Sequence, residues 1–220
     1  MSSWSSDDEL FSLVSGRLYT AVLGDILDRL GHRHQFLPPQ VRQLKAYGVV
    51  VGRAMPVLEA DVFDFSDPFG KMFEALDDLK SGEIYVAAGG SRTYAFFGEL
   101  MSIAAAARGA KGAVLHGYHR DTAALAAGDF PVYSMGGYGQ DQGVRGRVLD
   151  YRTAIEIAGV TVSPGDLIVA DSDGVLVVPR DAEATVVSEA LGKVGTESDV
   201  REALSAGMSV KAAFDRFKVM

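Results

Sequence analysis

Short runs of β-branched and other apolar residues alternate along this chain with segments whose apolar residues recur at helical spacing. A Val-rich run over 47–58, a short one over 83–88 and another over 112–116 are typical of buried strands. Residues 18–30 carry the three- and four-residue periodicity of a helix, and the Ala-rich run 98–108 is predicted to be helical as well. Strands interleaved with helices, followed by a late run of hairpins, predict a mixed α/β fold rather than a uniform βαβ array.

Several short signals set the boundaries of these elements. Ser6, followed three residues later by Glu9, has capping-box spacing and predicts the start of a helix. Residues 155–162 and 167–170 are predicted to be paired strands. From residue 180 onward the chain is predicted to be helical, with Gly207 separating two short helices.

A chain of 220 residues suits one domain. We expect an α/β core over 15–180 and a C-terminal helical extension over 181–220. The polar, acidic residues 1–10 lack a basic start and an apolar segment, so no secretory signal is expected. No apolar run reaches the roughly 18 residues that span a bilayer, so we expect no membrane partner.

The absence of cysteine and the distribution of charge exclude further classes of site and partner. The sequence contains no cysteine, which excludes disulfides, thiolate metal sites and a Cys nucleophile, and a cytoplasmic location is expected. The net charge of -8, with Lys and Arg scattered among acidic residues, argues against nucleic acid as a partner.

The most informative pattern combines the run Gly98-Glu99-Leu100-Met101 with Arg120-Asp121, with twenty residues between Glu99 and Arg120. Gly98 stands where a loop enters a helix. The first backbone amides of a helix lack intrahelical partners and lie at its positive end, where a carboxylate can bind. The strand over 112–116 returns the chain, so Arg120 and Asp121 can lie near the helix start.

The two residues of the second motif suit a keto-acid site. Arg120 offers a planar guanidinium to a carboxylate or enolate oxygen, and Asp121 is a hard oxygen ligand suited to Mg²⁺ or Mn²⁺. The alternative is that Arg120 and Asp121 are a surface ion pair that follows a strand.

Other polar residues leave two interpretations open. His119 and His116 could shuttle protons or contact a substrate, or they could be strand-end residues bonded to the backbone. Asp171 and Asp173 could chelate a cation, although a tight turn before a strand explains them as well.

The paired motifs resemble those of the 4-hydroxy-4-methyl-2-oxoglutarate aldolase family. That family includes the 4-carboxy-4-hydroxy-2-oxoadipate aldolases and the structurally related regulators of ribonuclease E activity. The resemblance implies a layered α/β/β/α fold of the swivelling type with N- and C-terminal helical extensions. Supporting stretches lie at 19–31, 52–54, 112–117, 164–171 and 178–180, so the resemblance covers most of residues 15–215.

The resemblance also assigns roles to residues of this chain. It implies that Arg120 binds the keto acid and stabilises its enolate, that Asp121 ligates the metal, and that backbone amides of 98–101 hold the pyruvate carboxylate. Members of the family form trimers or hexamers with the site at a subunit interface, to which a C-terminal helix donates an acid; Glu197 is the match here. The candidate substrate-binding residues are therefore Gly98, Glu99, Leu100, Met101, His119 and Arg120, with Arg120 and Glu197 as catalytic residues.

Two positions depart from the family pattern. Glu99 stands where the aldolases usually have Asp, and Ala124 stands where many members carry an acid. We expect the residues that select the substrate in the loops 91–97 and 134–143.

The resemblance implies a function as well. It implies a divalent-metal-dependent aldolase that uses Mg²⁺ or Mn²⁺ to cleave a 4-hydroxy-2-keto acid and release pyruvate, with oxaloacetate decarboxylation through the same enolate. The alternative is a non-catalytic binding protein of the ribonuclease E regulator type. Those regulators typically lack a long C-terminal extension, so the helices expected over 181–220 favour the enzyme.

Overall fold

The structure, a computed structural model, describes residues 4–63 and 66–218; residues 1–3 of the polar N-terminal segment and 219–220 of the expected extension lie outside the described part. The helices are α1 (Asp7–Arg17), α2 (Thr20–Arg29), α3 (Met72–Asp78), α4 (Glu99–Ala107), α5 (Thr122–Ala127), α6 (Glu183–Ser205) and α7 (Val210–Phe217). The strands are β1 (Arg42–Gln43), β2 (Val50–Asp61), β3 (Phe69–Gly70), β4 (Glu83–Ala88), β5 (Ala95–Phe97), β6 (Gly112–Leu115), β7 (Tyr118–His119), β8 (Val132–Ser134), β9 (Gly146–Tyr151), β10 (Ile155–Ile157), β11 (Val160–Val162), β12 (Leu167–Ala170) and β13 (Val175–Val178).

The centre of the fold is a mixed sheet to which nine of the described strands belong. Its order is β1-β8-β6-β4-β2-β12-β13, and β9 pairs with the far half of β2 and with β3. The strands β2, β4, β6 and β8 are parallel neighbours, and a helix lies between each strand and the next along the chain. The strand β12 is antiparallel to both β2 and β13. The predicted mixed α/β fold is confirmed.

Three hydrophobic clusters separate four layers. Helices α3, α4 and α5 pack on one face of the parallel strands. The other face of these strands packs against β10, β11 and the inner face of β12 and β13. Helices α1, α2 and α6 cover the outer face of β12 and β13. The order helix, sheet, sheet, helix is the α/β/β/α layering that the resemblance implies.

Some elements differ from the sequence-based prediction. Residues 155–162 form a hairpin of their own, whereas β12 pairs with β13 and β2. The strand β9 is absent from the prediction, because its place depends on pairing with β2 rather than on a strong apolar run. The helix α6 is one element of 23 residues, not a short helix, and Gly207, with φ 92°, separates it from α7.

The capping box at α1 is only partly formed. The hydroxyl of Ser6 accepts a hydrogen bond from the amide of Glu9 at 3.2 Å, as predicted. The carboxylate of Glu9, however, accepts from the amide of Ser5 at 2.6 Å instead of from that of Ser6. Taken singly, each described helix is too short or too polar to cross a membrane; α1 and α2 meet the length and composition criteria only as a pair bent by 105°.

Buried polar contacts hold the terminal helices against the sheet. Arg53 on β2 has a side chain that is 9% exposed, and its guanidinium pairs with the carboxylates of Asp7 on α1 and Glu183 on α6. The carboxylate of Asp171 accepts hydrogen bonds from the amide and the hydroxyl of Thr20, each at 2.8 Å. Asp171 thus ties the turn between β12 and β13 to the start of α2, and the turn interpretation of this residue is confirmed.

Candidate active site

A short pair of parallel strands brings the two sequence motifs together. The strand β5 is followed by Gly98 and α4, β7 is followed by Arg120, and Phe97 pairs with His119. The amide of Arg120 also donates to the carbonyl oxygen of Phe97 at 2.9 Å. Because the two strands end side by side, the start of α4 lies next to Arg120, and the predicted proximity of the motifs is confirmed.

The carboxylate of Asp121 lies at the N-terminal end of α4. Its Oδ2 accepts a hydrogen bond from the amide of Glu99 at 3.1 Å and lies 3.7 Å from Nε of Arg120. The backbone of Asp121 is left-handed, with φ 58°, a conformation that Asp tolerates but seldom adopts. The side chains of Arg120 and Asp121 are 40% and 43% exposed, so solvent and ligands can reach both.

Gly98 is required at this point by close approach rather than by its backbone conformation, which is extended. A Cβ atom added to Gly98 would lie 2.7 Å from Oδ2 of Asp121 and 3.2 Å from Cγ of Arg120. Any other residue would therefore displace both charged side chains.

Asp141 contacts a different nitrogen of Arg120, Nη1, from the one that lies near Asp121. Its Oδ1 accepts a hydrogen bond from Arg120 at 2.5 Å, and its Oδ2 accepts from the amide of Gly143 at 2.9 Å. The guanidinium therefore contacts two carboxylates, which restricts its orientation.

These charged groups form one end of a cavity of about 330 Å³, a size suited to a small ligand. Both loops in which substrate-selecting residues are expected, 91–97 and 134–143, contribute to its wall. The polar lining consists of Arg120, Asp121, Asp141 and Gln142. The apolar lining includes Met72, Phe73, Leu76, Phe96, Phe97 and Leu100.

A buried carboxyl group, that of Glu59, contacts Gln142 of the cavity wall. Glu59 on β2 is 1% exposed, and its Oε2 accepts a hydrogen bond from the side-chain amide of Gln142 at 2.6 Å. Its Oε1 has no hydrogen-bond partner among the described residues. Burial raises the pKa of Glu59 to about 8, and the bond from Gln142 lowers it by less. The titratable groups that face it, the hydroxyls of Tyr85 and Tyr94, have pKa values raised first by burial and then by Glu59.

We expect Glu59 to make the folded state less stable as the pH rises. Below about pH 4.5 the group is neutral in both states; between 4.5 and 8 the unfolded chain ionises while the folded chain does not, so folding stability is lost over that window. The Glu59→Gln variant should remove this loss, which amounts to roughly 3 kcal/mol between pH 5 and 8. Urea unfolding at several pH values measures it, and Glu156→Gln, on the exposed side of β10, is the control. Parallel pH profiles for Glu59→Gln and the unchanged chain would show that Glu59 is ionised at neutral pH.

His119 lies beneath the site and not along the cavity wall. It is 2% exposed, with Nδ1 2.7 Å from the hydroxyl of Ser134 and Nε2 3.1 Å from the hydroxyl of Thr122. Burial lowers the pKa of His119 and so favours the neutral form of the ring. A substrate contact through this ring stays a prediction, and it would require one of the two bonds to break; the observed contacts hold the loop that carries Arg120. In His116, Nε2 lies 3.1 Å from Nη2 of Arg92.

Two other predicted residues lie outside the cavity of their own chain. Oε2 of Glu197, on α6, accepts from the hydroxyl of Tyr19 at 2.5 Å, and its Oε1 lies 3.7 Å from Nζ of Lys193. That hydrogen bond, followed by burial, raises the pKa of Tyr19 to about 12. A catalytic role of Glu197 stays a prediction and requires a second copy of the chain. The side chain of Glu99 is exposed, and it is the amide of this residue that meets Asp121.

Residues 20–177 match the model of a protein family described as RraA-like, Aldolase/RraA. The chain belongs to the RraA-like family. The family relationship indicated by the paired motifs is thereby confirmed.

Individual relatives of this RraA-like chain carry different names. A protein of Halalkalibacterium halodurans named "Putative 4-hydroxy-4-methyl-2-oxoglutarate aldolase" is 29% identical over 199 residues, which are 90% of each chain. Protein DlpA of Legionella pneumophila is 32% identical over 117 residues, 53% of this chain but only 19% of DlpA. The crystal structure of Streptomyces coelicolor RraAS2, described as an unusual member of the RNase ES inhibitor RraA protein family, matches with a TM-score of 0.82 at 24% identity, over 90% of this chain and 99% of that one. This last likeness shows a shared fold.

Three functional candidates of the RraA-like chain are missing from the sequence-based set. Asp141 and Gln142 fall within the loop 134–143, but nothing in its sequence indicates which of its polar residues faces the cavity. The sequence does distinguish Glu59, because a lone acidic residue in the otherwise apolar stretch 54–60 is typical of a buried carboxyl group with a specific role.

Proposed function

We propose that this chain is a divalent-metal-dependent lyase that cleaves a 4-hydroxy-2-keto acid by a retro-aldol reaction and releases pyruvate. The observation that carries the proposal is the meeting of the Arg120 guanidinium, the Asp121 carboxylate and the first turn of α4 at one end of a cavity. The name of the relative from Halalkalibacterium halodurans supports the same class of reaction. Oxaloacetate decarboxylation would proceed through the same enolate.

The substrate carboxylate would bind at the start of α4. The amides of Leu100 and Met101 belong to the first helical turn, which has no carbonyl one turn earlier to accept their hydrogen bonds. The positive end of the helix dipole and the guanidinium of Arg120 favour an anion at the same place. A planar keto-carboxylate group could therefore lie between the helix start and Arg120.

The donor atoms at this end of the cavity fit a hard cation. The described residues contain no cluster of three or more His, Cys, Asp and Glu side chains, so they do not form a closed zinc-type cage. Mg²⁺ and Mn²⁺ are commonly held through one or two carboxylates, with water and substrate oxygens completing the shell. Asp121, with Asp141 nearby, would hold such an ion, which when bound would stabilise the negative charge of an enolate.

The side chains of the site would act on the bond between C3 and C4 of the substrate. A base takes the proton of the C4 hydroxyl group, the C3–C4 bond breaks, and its electron pair forms the enolate of pyruvate. Arg120 would donate hydrogen bonds to the enolate oxygen as charge develops there. Proton transfer to C3 then completes pyruvate. The base would be Glu197 of a neighbouring copy, so assembly as a trimer or hexamer is part of the proposal.

Exchange of the methyl protons of pyruvate with D₂O tests the enolate step without any aldol substrate. Proton NMR should show exchange in the presence of Mg²⁺ or Mn²⁺, loss of exchange with a chelator, and recovery when the metal is restored. Exchange no faster than with metal and buffer alone would refute the proposal. That result would favour the non-catalytic binding role, which a pull-down of ribonuclease would then examine.

Replacing Gly98 with alanine should impair catalysis while leaving the fold intact. The added Cβ must displace Asp121 or Arg120, and displacement of reacting groups by about 1 Å costs about 10²-fold in rate. Gly192→Ala is the matched control, because a Cβ at that helical position meets nothing within 4 Å. The rate of pyruvate exchange and the thermal unfolding midpoint are measured for both variants. Unchanged exchange in Gly98→Ala would mean that the observed closeness of these groups has no role in turnover.

A further inference from the structure

The cavity is much larger and more apolar than a pyruvate unit requires. Besides the charged residues it is lined by apolar side chains of α3 and α4, among them Phe73 and Leu100. Phe73 and Leu100, at 59% and 77% exposed, form an open apolar wall at its rim, whereas Leu76 and Phe96, at 6% and 0%, are buried and present little surface to a ligand. A ligand bound at Arg120 would project its remaining atoms along this wall.

The charged side chains of the cavity lie together, because Arg120 is close to both Asp121 and Asp141. Among the described lining residues, Arg120 is the single cation, and it is already paired with Asp141 and close to Asp121. One carboxylate of a substrate can be served by Arg120 and the amides at the start of α4. Among the described residues of one chain, a second carboxylate farther along the molecule would face aromatic and aliphatic side chains without a cation, which is unfavourable.

We propose that the preferred substrates are 4-hydroxy-2-keto acids whose C4 atom carries an uncharged alkyl or aryl group rather than a carboxylate. This inference rests on the function proposed above and specifies its substrate class. The keto-acid head binds at Arg120 and Asp121, and the C4 substituent lies against Phe73 and Leu100. Cleavage then yields pyruvate and an apolar aldehyde or ketone. The hydroxyl proton leaves to the base, and the C3–C4 electron pair takes up one proton at C3, so the reaction needs no further reactant.

Binding of two stable keto acids tests the inference without turnover. Both 2-oxo-4-phenylbutanoate and 2-oxoglutarate share the keto-acid head, lack the C4 hydroxyl group and cannot be cleaved. They differ in whether C4 carries a phenyl group or a carboxylate. Calorimetric titration at a fixed Mg²⁺ concentration should give at least about tenfold tighter binding of the phenyl compound, because its ring leaves water for an apolar wall.

A cation added at the rim should shift this preference. The variant Phe73→Arg places a guanidinium at the exposed edge of the cavity and should lower the affinity ratio at least about threefold, as expected for one partly exposed ion pair. Ile103→Arg is the matched control, because Ile103 is 58% exposed on α4 but does not line this cavity. Size-exclusion chromatography of both variants shows whether either change alters the assembly.

The outcomes distinguish a wrong substrate class from a wrong lyase proposal. If pyruvate exchanges its protons but 2-oxoglutarate binds as tightly as the phenyl compound or more tightly, the substrate class is wrong and the lyase proposal stands. If the ratio is unchanged in Phe73→Arg, or falls equally in Ile103→Arg, the apolar wall does not bind the C4 substituent. If pyruvate exchange fails as well, both proposals fall together.

Discussion

Replacing Arg120 with alanine is expected to lower kcat/KM for pyruvate release by about 10²- to 10³-fold. In other enzymes, removal of a preorganised donor aimed at an oxygen on which charge develops lowers the rate by a comparable factor. Among the described residues that line the cavity, Arg120 is the one cation. The loss should appear in kcat as well as in KM, because the enolate carries more charge on its oxygen than the ground-state ketone does. Steady-state measurement of pyruvate with Mg²⁺ or Mn²⁺ checks both parameters.

Two further variants make this test specific. Arg108→Ala is the matched control, since Arg108 pairs with Asp77 at a comparable exposure of 33% but lies outside the cavity, and its activity should be unchanged. Asp121→Asn keeps the shape of its side chain and removes its charge, so it should raise the metal concentration needed for activity. Full activity in Arg120→Ala would overturn the assigned role of the guanidinium, whatever the behaviour of the other variants.

Replacing Arg53 with methionine is expected to lower the free energy of unfolding by about 3 to 5 kcal/mol. Removing one partner of a buried ion pair leaves the other charge without compensation, and the side chains of Arg53 and Glu183 are only 9% and 10% exposed. Arg53 Nε also donates to Asp7 at 2.9 Å, so the change disconnects α1 and α6 from β2 together. Such a loss is a large part of the 5 to 15 kcal/mol typical of a folded domain.

Urea denaturation followed by circular dichroism measures this loss against two comparisons. Arg108→Met breaks a more exposed pair, in which Asp77 is 72% exposed, and should cost less than about 1 kcal/mol. Adding Glu183→Gln to Arg53→Met removes the uncompensated charge and should recover part of the stability. If Arg53→Met costs no more than Arg108→Met, the buried network contributes little and apolar packing alone holds the terminal helices.

Local patterns in the sequence predicted most of the secondary structure, the proximity of the two motifs and the family of this protein. Apolar periodicity and capping residues place most helices and strands, since both depend on neighbours within one turn or one strand. The spacing between Gly98 and Arg120 is similarly informative, because one helix and two short strands, β6 and β7, lie between them and return the chain to the end of β5. The same motifs indicated the RraA-like family, which the match over residues 20–177 confirms.

Other features were decided only by the tertiary structure. Asp141 meets Arg120 from a segment 21 positions away, and Glu59 meets Gln142 across 83 positions, contacts that no local period specifies. They depend on the register of β2 with β9, including its irregularity beside Glu59, and on the pairing of β5 with β7. The apolar wall likewise exists only where α3 and α4 pack on the sheet. Side-chain periodicity tells which face of an element is buried, but the element that covers this face is chosen by the packing of the whole chain.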